Sequence, residues 1–186
     1  MTMNEENLPL WLIENRAKWQ FNGSVRPDFA DEPKANQTSV WDFPRPPKIV
    51  LETDHFLVKN NNEIIAQSNK VIAVCETANP PCYYFPENEV NLKHLMKIEK
   101  ESWCEWKGKT QFWVLKENPD LIVAWSYPNP FTAYTEIRDY IAFYPQNLEC
   151  YVNKEKAITQ DSLFYAGWIT SNYSGPFKGK KGTELW

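Results

Sequence analysis

The chain has 186 residues, 42% of them hydrophobic, 15% aromatic and 24% charged, which is enough apolar matter for one sizeable core and excludes a disordered chain. Twenty basic against 24 acidic residues leave a net charge of −4, the wrong sign for general phosphate-backbone binding, so nucleic acid is not an expected partner. No apolar run approaches the roughly 18 residues of a membrane span, and the acidic start at Glu5 and Glu6 lacks a signal peptide's basic end, so the expectation is a cytoplasmic protein with no membrane partner.

In chain order, Leu8, Trp11, Leu12 and Trp19 recur at spacings near three, four and seven, which predicts a short amphipathic helix over Leu8 to Trp19 with Pro9 in its first turn. From Asn22 to Pro47 the residues Pro27, Pro33, Pro44, Pro46 and Pro47 forbid regular structure and give an extended strap. Its anchors are Trp41 and Phe43. The division that follows is a helix and strap over residues 1–39 and one β domain over 40–186. Three β-rich runs, 56–58, 64–66 and 71–74, separated by polar turns, predict a three-stranded meander. A similar layout over 149–152, 157–159 and 163–168 implies two sheets or an internal duplication.

Between these lie Trp103 to Gly108, a strand around Gln111 to Leu115 and another over Leu121 to Ser126 that Pro128 and Pro130 close. Thr132 as N-cap, followed by Tyr134, Ile137 and Ile141 at spacings of three and four, predicts an internal helix over Phe131 to Tyr140. The stretch from Gly175 to Trp186 is basic and glycine-rich and is expected to lie on the surface as a tail. The architecture is therefore mainly β with minor helix.

Most catalytic chemistries lack their residues here. The four cysteines, Cys75, Cys82, Cys104 and Cys150, fall singly, whereas a zinc knuckle places two thiolates on one tight turn. No metal and no cofactor is expected. The glycines of Gly175 to Thr183 are spaced one short of a phosphate loop and have no strand-to-helix context. His55 and His94 read as surface residues. Glu76, Glu105 and Glu136 are the carboxylates flanked by aromatic or proline-rich segments.

The densest chemistry is Trp103-Cys104-Glu105-Trp106-Lys107-Gly108, where two indoles, a thiol, a carboxylate and an ammonium fall within six residues. In an extended chain, alternation sends Cys104, Trp106 and Gly108 to one side and Trp103, Glu105 and Lys107 to the other. Trp106 with Trp125 and Tyr127 then walls a pocket for a flat or cationic small molecule, with Lys107 at its rim. Tyr140 and Trp168 are further candidates for its wall. Glu76, Glu105, Lys107 and Cys104 are the candidate catalytic groups.

Several motifs carry a resemblance. Val40-Trp41-Asp42-Phe43-Pro44-Arg45-Pro46-Pro47, Glu76-Thr77 with Pro80-Pro81-Cys82-Tyr83-Tyr84-Phe85-Pro86, Cys104-Glu105-Trp106-Lys107-Gly108, Ala124-Trp125-Ser126-Tyr127-Pro128, Ile141-Ala142-Phe143-Tyr144-Pro145 and Gly175-Pro176-Phe177-Lys178-Gly179 resemble, in order, the domain of unknown function 427 family. The resemblance covers about residues 40–186. It implies a mainly β fold of two antiparallel sheets in a β-tent, similar to the Mss4-like folds, and it brings a label that suggests nucleotidyltransferase activity. It also implies histidine where this chain has Asn79 and Tyr140, which removes two acid–base groups, and the label's carboxylate pair is missing. The leading expectation is a domain that binds an unidentified small planar molecule, with Lys107 and Glu76 or Glu105 as orienting groups. An enzyme in the same pocket and a protein-interaction scaffold are the alternatives, and a homodimer is left open.

Overall fold

The computed structural model describes residues 8–186, so Glu5 and Glu6 lie outside the described residues. Helix α1 spans Leu10–Ala17, directly after Pro9. The strands, in chain order, are β1 (Thr38–Ser39), β2 (Lys48–Glu52), β3 (Phe56–Asn60), β4 (Glu63–Ser68), β5 (Val71–Cys75), β6 (Cys82–Pro86), β7 (Leu95–Cys104) and β8 (Gly108–Leu115). They continue with β9 (Asn118–Ser126), β10 (Tyr140–Phe143), β11 (Glu149–Val152), β12 (Glu155–Lys156), β13 (Ile158–Thr159), β14 (Trp168–Ile169) and β15 (Tyr173–Ser174). The fold is mainly β.

Two antiparallel sheets carry the architecture. One has seven strands in the order β2-β5-β6-β10-β9-β8-β7, and the other has four in the order β12-β11-β3-β4. Strand alternation divides the larger sheet into two apolar faces. Val71, Ala73, Tyr83, Phe85, Trp113, Ile141 and Phe143 face Phe56, Val58 and Ile65 of the smaller sheet and form the main core. Ile72, Val74, Tyr84, Phe112, Trp125 and Ala142 form a second cluster with Trp106, Tyr127, Tyr134 and Ile137. All five residues of β5 are buried, as a strand covered on both faces requires.

Several expectations are corrected by the structure. The first meander does not exist as one sheet: β3 and β4 pair in the four-stranded sheet, while β5 crosses to pair with β2 and β6. A run apolar at every position needs cover on both sides, and only an interior position of the large sheet offers it. The second layout is not a duplicate, because β11 pairs with β3 and β12, whereas β13 pairs only with β14. The internal helix is a 3-10 stretch over Thr132–Ile137, kinked at Tyr134 and preceded by an uncapped Phe131. A spacing of three between Tyr134 and Ile137 suits a three-residue turn equally well, and Tyr140 and Ile141 are drawn into β10 by pairing with Pro86 and Phe85. In α1, only Leu12 is buried, and Trp19 lies beyond the helix end.

A further correction concerns the C-terminal stretch, which is packed. β15 pairs in parallel with β1 of the strap, Lys178 is only 1% exposed, and Trp186 packs against Phe29 and Trp41. Trp41 and Phe43 are both buried, as anchors should be, and Trp41 meets Phe21 and Phe29 edge-on at 5.3 and 5.2 Å. Arg45 fixes the strap to the sheet. Its Nε donates to Glu76 Oε1 at 2.9 Å, and its terminal nitrogens donate to the carbonyls of Phe21 and Thr77.

Candidate functional site

The second face of the large sheet is the floor of a cavity of about 460 Å³, within the range of small-molecule sites. Pairing registers place Phe112 beside Trp125, Trp125 beside Ala142, and Ala142 beside Tyr84. The small Ala142 leaves a gap between two large aromatics. Across it the Trp125 indole N–H donates to the Tyr84 hydroxyl at 3.1 Å. Cys82, Thr110, Tyr127 and Tyr144 complete the inner wall. The outer wall comes from the ends of the chain: Asn15, Lys18 and Trp19 on one side, Gln160, Tyr165 and Lys178 on the other.

Of the three lysines that border this space, Lys107 and Lys178 are buried, under different conditions. Lys107 is 8% exposed, and its Nζ lies 5.9 Å from the Tyr127 ring centre. Among the described residues its ammonium makes no hydrogen bond or ion pair. Burial opposes its charge, but its acidic neighbours, the thiol of Cys104, the phenols of Tyr127 and Tyr84 and the carboxylate of Glu76, together favour it and hold its pKa well above the usual lysine value. Lys178 stands at the outer end, and burial followed by repulsion from Arg45 brings its pKa down to about 7.

Both candidate carboxylates border the cavity, and both are engaged. Glu76 pairs with the buried guanidinium of Arg45, and Glu105 accepts from the Trp19 indole at 3.0 Å. The backbone carbonyl of Glu105 takes the Arg16 Nε at 2.8 Å, and this holds α1 over the site. Burial drives the thiol of Cys82 up to about 12 and pushes that of Cys104 in the same direction, so neither is a thiolate at neutral pH. Glu136 is exposed and, like His55 and His94, lies away from the cavity. The described residues contain no cluster of three or more metal-ligating side chains.

The structure brings Glu76, Cys104, Glu105, Lys107, Trp125 and Tyr127 together around one space. It does not bring Trp106, Tyr140 or Trp168 to it. Cys104 ends β7 and Gly108 begins β8, so Glu105, Trp106 and Lys107 form the hairpin turn, and strand alternation does not apply to them. Gly108 has φ +100°, which supports that turn. Trp106 lies under the Arg16 guanidinium instead, 5.1 Å from its ring centre, and Lys107 is buried in the wall and not placed at the rim. Trp168 is in the main core. Tyr140 borders a shallow depression with Pro86 and Leu92.

Sequence reasoning missed Tyr84, Phe112, Trp19, Tyr165 and Lys178. The first two carry a usable signal, because Cys82/Tyr84 and Thr110/Phe112 alternate with core residues on their strands. Trp19, Tyr165 and Lys178 carry none, because tertiary folding alone brings the two ends of the chain together.

The sequence profile of the family described as Domain of unknown function (DUF427) matches residues 48–154, more than half of the chain. The chain belongs to this family. No curated protein matches it. Within this DUF427 chain the matched residues supply the floor of the cavity, from Val74 to Tyr144, whereas Trp19, Tyr165 and Lys178, which close it, lie outside the matched span. Asn79, where the family resemblance implies histidine, borders the cavity and accepts a hydrogen bond from Gln160 Nε2 at 3.1 Å. Tyr140, the other such position, is not part of it.

Proposed function

We propose that this chain binds a small planar molecule in the aromatic cavity, with Lys107 as its polar anchor. The observation that carries this reading is the inner wall, where Tyr84, Phe112, Trp125 and Tyr127 line one space with a buried lysine that has no hydrogen-bond or ion-pair partner among the described residues. The N–H donors of a buried ammonium cost free energy while they have no acceptor. A bound molecule that offers an acceptor removes that cost, and the aromatic faces supply apolar and edge-on contact for a flat ring. Glu76 and Glu105 act as positioning groups through Arg45 and Trp19. Each carboxylate is tied to a structural partner, so binding is preferred over catalysis as the reading of this site.

The test is a screen of planar heteroaromatic fragments by protein NMR that follows the indole N–H resonances. Binders are expected to shift the Trp125 resonance, and Trp125→Phe is expected to weaken them while leaving the remaining spectrum folded. Fragments that bind without disturbing Trp125, or that bind Trp125→Phe equally well, would refute the reading.

A further inference from the structure

The polar atoms at the inner end of the cavity can all donate hydrogen bonds. Lys107 offers three N–H donors and uses none of them on the described residues. The Tyr84 oxygen already accepts from Trp125, which leaves its O–H to donate, and the hydroxyls of Tyr127 and Thr110 stand on the same wall. Burial pushes the pKa values of Tyr84 and Tyr127 up, so both remain O–H donors throughout the physiological range. The two carboxylates that border the cavity are each tied by one oxygen to its outer side, Glu76 to Arg45 and Glu105 to Trp19. A buried cluster of donors around an ammonium that has no acceptor is complementary to an anion.

The charge available sets the class of that anion. Among the described residues Lys107 is the cation at the inner end, and the Lys178 Nζ at the outer end is occupied by the carbonyls of Glu184 and Trp186 at 3.0 Å each. A phosphate monoester brings up to two charges and three acceptor oxygens into the site. A carboxylate brings one charge and two oxygens, which one ammonium and one phenol can meet together. Trp125 stands 6.0 Å from Tyr84 at 83° and 4.7 Å from Tyr144, so apolar rings rise directly beside the donors. From this we propose, resting on the binding reading above, that the ligand is a planar aromatic monocarboxylate whose carboxylate sits on Lys107 and Tyr84 at the inner end and whose ring lies along Trp125.

The test is calorimetric titration of the whole chain with three probes of one shape: 2-naphthoate, the neutral 2-naphthamide and 2-naphthyl phosphate. The expected result is that naphthoate binds about tenfold or more tightly than the amide, since charge-assisted hydrogen bonds exceed neutral ones by that order. Tyr84→Phe is expected to weaken naphthoate several-fold, and Lys107→Met to abolish the preference for acid over amide. Where Lys107→Met does not fold, the acid–amide comparison on the unaltered chain decides the matter. Equal or tighter binding of the amide overturns the carboxylate assignment while the aromatic cavity still binds, and tightest binding of the phosphate overturns it in favour of a phosphate ester. If no probe binds and Trp125 is undisturbed, the binding reading itself falls.

Discussion

The Nζ of Lys178 lies 3.6 Å from the centre of the Trp19 ring, beneath a residue almost the whole length of the chain away from it. The same nitrogen donates to the carbonyls of Glu184 and Trp186. Trp19 also lies 4.3 Å from the Arg45 guanidinium and gives its indole N–H to Glu105. One aromatic ring therefore joins the N-terminal segment, the strap, the β7–β8 turn and the C-terminal stretch over the mouth of the cavity. The outer wall is only as secure as this junction.

That placement makes stability depend on pH through Lys178. Burial and then Arg45 bring its folded pKa down to about 7, against about 10.4 in an unfolded chain. Between those values the unfolded state binds more protons than the folded one, so stability rises with pH. A neutral amine still has two N–H groups, enough for both carbonyls. The melting temperature is expected to climb from pH 7 to 8.5, and Lys178→Met is expected to flatten that climb. Above about pH 8.5 the buried thiols oppose it: burial raises their pKa values, so the unfolded state loses protons first and stability falls. An equal slope in the variant would show that Lys178 does not titrate in this window.

Trp41→Ala is expected to lower stability by about 3–5 kcal/mol, the usual cost of emptying a buried tryptophan site. Trp41 is fully buried and holds Phe21, Phe29 and Trp186 together. Its loss should release the strap as well as soften the core. Limited proteolysis should then cut within residues 22–37 in the variant before the sheets open, a pattern absent from the parent chain. An unchanged melting temperature would show that the strap is not held by this contact.

How much of this was legible in the sequence depended on distance along the chain. The β-rich runs at 56–58, 64–66 and 71–74 were recognisable because alternation and turn residues are local signals. Their division between two sheets was not, since pairing of β5 with β2 and β6 is decided by what covers each face. Lys107, Trp125 and Tyr127, expected around one pocket from a dense motif and a shared strand face, line one cavity. Trp106 was placed beside them on the premise of an extended chain, and the turn at Glu105 to Lys107 removed that premise. Lys178 lay in a quoted motif, yet its glycines read as a loose tail, because nothing in a local window shows that Ala78 accepts from the Lys178 backbone N–H at 2.8 Å.

The four thiols offer a direct check on burial. The pKa of Cys75 is pushed up to about 12 by burial, and that of Cys150 stands well above its usual value for the same reason. Cys82 and Cys104 are shifted likewise, although Lys107 offsets part of the shift at each. Iodoacetamide at pH 7.5 is therefore expected to modify none of the four quickly in the folded chain, and all four in denaturant. As the pH is raised, Cys82 and Cys104, which border the cavity, should react before Cys75 and Cys150. Site-resolved mass spectrometry reads that order, and rapid labelling of Cys150 in the folded chain would contradict the buried assignment.

Ala142→Leu tests the cavity floor without touching any charged group. Ala142 is fully buried between the registers of Trp125 and Tyr84, and its methyl group is what allows the indole N–H to reach the hydroxyl across β10. Three added carbons must push between Trp125 and Tyr84, which meet across that row, so overpacking is expected to cost about 1–3 kcal/mol. The larger effect should be local: the Trp125–Tyr84 hydrogen bond breaks and the floor rises into the space where a ring would lie. The expected outcome is a folded protein with a modestly lowered melting temperature, a shifted Trp125 indole resonance and loss of naphthoate binding. Ala142→Gly is its control, since it keeps the row open. A leucine variant that retains both the resonance and the binding would show that this row does not form the floor of the site.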